Sequence, residues 1–75
     1  MKKDTLVDKN NLMYEAALAH FQAQEKQALA TLEIYFNHAV GIGEHSNLLN
    51  EIKQATQELS EAQECLRTLK QLQNP

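Results

Sequence analysis

The chain has 75 residues, a net charge of −3, one cysteine, two glycines and one proline. A chain of this size buries a modest fraction of its surface and leans on disulfides, metals or association for stability, and a lone Cys65 closes the intramolecular disulfide route. Interspersed charges with an acidic balance argue against a nucleic-acid partner, which needs a basic patch, and against docking on an anionic membrane.

A single cysteine suits a reducing compartment. No stretch approaches the roughly 18–20 apolar residues of a membrane span. Lys2 and Lys3 are followed by Asp4 and no apolar run, so no secretory signal is expected. Residues 1–10 are polar apart from Leu6 and Val7 and read as a flexible arm. Thr5 to Asp8 offers a capping box for an early helix start, and Asn10 or Asn11 offers an N-cap for a start near Leu12. We place the start at 11.

The first helix is predicted over 11–38. Its apolar stripe is Tyr14, Ala17, Leu18, Phe21, Ala28, Leu32, Tyr35 and Ala39, mostly at three- and four-residue steps. Leu29 and Phe36 widen that stripe toward its C-terminal end. A helix needs such width when it packs against two neighbours. Both glycines then fall in the segment 39–45, read as a hinge. Gly41 is placed to take the left-handed conformation after the helix, Ile42 to fold back on Phe36, and Gly43 to give a second permissive position. Ser46 is the expected N-cap of the second helix, with Asn47 the alternative.

The second helix is predicted over 46–73, leaving 74–75 as a tail. Leu48, Ile52, Ala55, Leu59, Ala62, Leu66 and Leu69 alternate four- and three-residue steps, the 3.5-residue repeat of a coiled-coil seam. Glu51 near its start and Arg67 and Lys70 near its end match the helix macrodipole. Closing the hinge places residues whose numbers sum to about 84–87 opposite each other in an antiparallel hairpin. Phe21 then lies over Ala62, and Ala28 near Leu59, so large side chains meet small ones. Alanines at 28, 55 and 62 allow close approach of the two backbones.

The fold class is therefore all-α: a coiled-coil-like two-helix hairpin. One partner helix covers each seam residue only in part, and ordering each residue costs about 1–2 kcal/mol of backbone entropy. The expected solution is a homodimeric four-helix bundle, with a trimer of hairpins as the alternative. The expected interface residues are Leu29, Leu32, Phe36, Leu49, Ile52, Leu59 and Leu66. Leu72 is a further apolar side chain that association would help to cover.

Few residues suggest chemistry. His38, Glu44 and His45 gather at the hinge and are zinc-ligand types, but their spacing matches no metal motif, and capping accounts for them. Gly41-Ile42-Gly43 lacks the preceding strand and the following lysine of a phosphate loop. Glu25 interrupts the first stripe and is read as reaching solvent at its border. Cys65 has no obvious base beside it and is read as a small hydrophobe. Glu58, Glu61 and Glu64 form an acidic stripe, solvated or docking a basic partner. No metal, cofactor or enzymatic activity is expected.

The run Glu33-Ile34-Tyr35-Phe36-Asn37, then Val40-Gly41-Ile42-Gly43-Glu44-His45, Leu49 and Glu51-Ile52, resembles small uncharacterised helical-hairpin proteins of tailed phages that infect marine cyanobacteria. The similarity covers roughly residues 14–70, and the turn is its specific part. The family pattern often has proline where this chain has Ser46, which changes the expected cap. The resemblance implies a phage origin, an accessory or virion-associated role, and a location in the host cytoplasm or the virion. It brings no catalytic residues. The expected function is a non-enzymatic, self-associating interaction or structural protein whose partner is itself or another phage or host protein. The alternative is a small regulatory binder that inhibits or adapts an enzyme through its apolar helix face.

Overall fold

Asn11 opens the first helix as a side-chain cap. Its Oδ1 accepts the Tyr14 N–H at 3.0 Å and its carbonyl accepts the Glu15 N–H at 3.0 Å. This satisfies donors that a helix start otherwise leaves unpaired. The computed structural model describes residues 7–37 and 47–73. In it α1 spans Leu12–Asn37 and α2 spans Leu48–Gln73, 26 residues each. Each helix is about 39 Å long at 1.5 Å per residue.

The helix bounds differ from the expected 11–38 and 46–73: α1 begins at Leu12 and α2 at Leu48. Residues 7–10, read as part of a flexible arm, form a turn before α1. The Asp8 carboxylate accepts the Asn10 N–H at 3.0 Å and the Asp8 carbonyl accepts the Asn11 N–H at 2.9 Å. At the other boundary, α2 begins at Leu48 instead of 46, with Asn47 immediately before it. The Asn47 carbonyl accepts the Glu51 N–H at 3.0 Å, as Asn11 does for Glu15. Gly41, Ile42, Gly43 and Ser46 lie outside the described residues, and so do His38, Glu44 and His45.

The helices pack side by side and antiparallel. Val7, Asp8 and Lys9 lie beside Gln73, while the middle of α1 meets the middle of α2 through Gln24, Glu58 and Glu61. The pairing of Gln24 with Glu61 falls within the register read from the sequence. The molecule measures 57 × 22 × 15 Å, and the smallest extent is close to one helix diameter. There is one layer of helices and nothing behind it among the described residues.

The seam is thin. Among the described residues, the buried apolar side chains are Tyr14, Ala28, Ala55, Ala62 and Leu66, and Ala62 is fully covered. Three of these five are the alanines expected at the points of closest backbone approach. Phe21, Leu18, Leu32, Ile52, Leu59 and Leu69 are only half-buried. One neighbouring helix shields one side of each, as the geometry of a two-helix seam dictates. No large side chain is fully buried among the described residues.

Candidate functional site

The hairpin has two flanks, and its sequence makes them chemically different. Positions seven apart fall in one row along a supercoiled helix. One flank is polar. There the Gln24 amide donates to the Glu58 carbonyl at 2.9 Å and to the Glu61 carboxylate at 3.0 Å. His20 and Gln27 line the same groove. His20 is exposed and stands edge-on to Phe21, with ring centroids 4.8 Å apart. Cys65, half-buried with a free thiol, falls in the row of Glu58. Leu72 falls in that row too. The register puts Leu72 on the flank opposite Leu29, Phe36 and Leu49.

The other flank changes character along its length. Near the free ends of the hairpin it is a shallow groove lined by Glu25, Gln63, Arg67, Lys70 and Gln71, with Leu66 at its base. Glu25 is half-buried there, so the border position read from sequence is where it stands. Toward the connecting segment the same rows become apolar. On α1 the row of Gln22 continues to Leu29 and Phe36; on α2 the row of Gln63 and Thr56 continues to Leu49. Leu29 is 49% exposed, Phe36 67% and Leu49 67%. Half-buried Leu32, Ile52 and Leu59 lie between them and the seam.

Of the seven residues expected at an interface, three are thus exposed on one face, three are half-covered beside them, and Leu66 is already buried by α1. Sequence reading passed over a second exposed set. Leu12, Met13 and Ile34 are 78%, 81% and 50% exposed on α1. Leu12 and Ile34 align with Ala16, Ala19 and Ala30 on the side of α1 turned away from α2. The signal was present, because those residues also recur at three- and four-residue steps. It was obscured because α1 is apolar on both sides.

Charge plays a minor part. Arg67 and Glu64 form an exposed ion pair one turn apart on α2. Hydrogen bonding and charge from Arg67 hold the Glu64 carboxyl below the ordinary glutamate range, and Glu64 pushes Arg67 up. Thr56 Oγ1 donates to the Ile52 carbonyl at 2.7 Å, which turns its hydroxyl back onto the helix. Among the described residues no three His, Cys, Asp or Glu side chains cluster as metal ligands would, and no helix is long and apolar enough to cross a membrane. Compared with known protein families, curated proteins and solved structures, the chain matches none.

Proposed function

We propose that the chain is a self-associating helical interaction module. Two hairpins pack face to face into a homodimeric four-helix bundle, and the module works as an accessory or structural component with no catalytic step of its own. The resemblance of the run Val40 to His45 to phage hairpin proteins suggests the setting: an infected cell or a virion. The observation that carries the reading is the exposure of Phe36, Leu49 and Leu29 on one continuous face, bordered by half-covered Leu32 and Ile52. Contiguous exposed apolar surface of this kind marks an interaction site.

The total surface supports it. The chain exposes 5824 Å². A compact monomer of 8.5 kDa exposes about 4,700 Å² by the usual scaling. The excess is on the order of 1,000 Å², as an elongated single layer of helices with an uncovered face requires. Sedimentation equilibrium at micromolar concentration tests the reading. A dimer is expected, and the double substitution Phe36→Ser with Leu49→Ser should convert it to monomer while the hairpin helicity remains. A wild-type chain that is a folded, stable monomer overturns the proposal.

A further inference from the structure

The self-association proposed above leaves open how the second copy is oriented, and the sequence of the two rows decides it. Gln24 reaches both Glu58 and Glu61, so residues whose numbers sum to about 82–85 stand level: Phe36 lies within a turn of Leu49, Leu29 of Thr56, Gln22 of Gln63, and Glu15 of Lys70. All these pairs have the same offset. The face therefore runs in layers from apolar, through an amide layer, to a layer with one acid and one base.

We infer that the second copy docks on this face with its Phe36–Leu49 end against the same end of the first, about a two-fold axis parallel to the helices. The inference rests on the self-association proposed above. In this arrangement α1 of each copy lies beside α2 of the other. Phe36 meets Leu49 of the second copy, Gln22 meets Gln63, and Glu15 meets Lys70, each contact occurring twice by symmetry. The apolar end, the amide layer and the charged layer then each face their own kind or their complement, with Leu29 against Thr56 of the second copy. Glu25 remains in the polar half, beside the Arg67 and Lys70 that line its groove. All neighbouring helices run antiparallel, the favourable order for their macrodipoles. The opposite docking, end to end reversed, lays Glu15 and Lys70 over Phe36 and Leu49. It lays the charges of Glu15 and Lys70 of both copies against apolar side chains and leaves the apolar ends mismatched.

Charge reversal and mixing test the orientation. Glu15 and Lys70 are exposed in the hairpin, and reversing either leaves the seam intact. Glu15→Lys and Lys70→Glu alone should each weaken the dimer by roughly tenfold, since each places two like-charge pairs across the axis. An equimolar mixture of the two variants should recover wild-type affinity, because the mixed dimer has two opposite-charge pairs and each hairpin alone has none. Circular dichroism on each variant verifies that it is folded. A wild-type dimer whose single variants associate normally, or whose mixture shows no recovery, overturns the orientation and leaves self-association standing. A wild-type chain that stays monomeric overturns both.

Discussion

The side-chain amide of Gln24 bridges two acceptors on the facing helix, the Glu58 carbonyl at 2.9 Å and the Glu61 carboxylate at 3.0 Å. An amide nitrogen has two protons, and both are used. The buried remainder of the seam is apolar, and apolar contacts tolerate sliding by a turn better than a paired polar group does. Gln24 therefore pins the register. Gln24→Ala is expected to destabilise the hairpin by about 0.5–1.5 kcal/mol, the net worth of an ordinary hydrogen bond. Denaturant unfolding monitored by circular dichroism measures it. An unchanged midpoint would show that the bridge is not held in solution.

Ala62 offers the opposite probe. It is fully covered by α1, and no space remains for a longer side chain. Ala62→Leu should force the helices apart and cost about 1–3 kcal/mol, although leucine is as good a helix former as alanine is within a few tenths. Ser60→Leu, at an exposed position of the same helix, should be close to neutral. Thermal melts of the two variants separate packing from propensity.

Much of this architecture was legible before any coordinates. The alternating steps from Leu48 to Leu69 identify α2 and its buried side, and the alanines at 28, 55 and 62 identify the points of closest approach. Asn11 was legible as a cap because its side chain competes for helix-start donors. Other features depend on three-dimensional register. The flank on which Leu72 stands is set only once the phase of α2 is fixed by Glu58 and Glu61. The outer face of α1 was hidden because Leu12, Ile34 and the alanines between them blur the periodic signal that Tyr14, Phe21 and Ala28 produce. The Asp8 turn is local side-chain chemistry that a reading by apolar periodicity does not register.

The Glu64–Arg67 pair predicts a small, signed pH effect. Arg67 lowers the Glu64 carboxyl below its ordinary value. A carboxylate depressed in the folded state contributes stability that is present above its unfolded value and is lost as the pH falls through its folded value. Acidification across that window should thus remove the contribution of this pair. Both side chains are exposed, so the effect should be slight and should fade in high salt. Titration of the Glu64 side-chain carboxyl by NMR should place it below the ordinary glutamate range, and Arg67→Gln should return it there.

Leu59 borders the face on which the proposed dimer would form. It is half-buried by α1, and its row, shared with Ile52 and Leu66, borders the face that Phe36 and Leu49 extend. In a lone hairpin, Leu59→Ala removes side-chain atoms that are partly in water already. In the bundle the same atoms lie between four helices, where truncation of a leucine costs about 2–5 kcal/mol. The cost should therefore depend on whether the second copy is present. A double-mutant cycle measures this directly: Leu59→Ala in the wild-type chain and in the Phe36→Ser, Leu49→Ser background, with unfolding followed at matched protein concentration. The wild-type background should show the larger loss, with a coupling of at least about 1 kcal/mol. The melting temperature should also rise with concentration only where Phe36 and Leu49 are intact. Equal losses in both backgrounds would mean that nothing beyond α1 covers Leu59, and the exposed face would then have to be assigned to a partner other than a second copy.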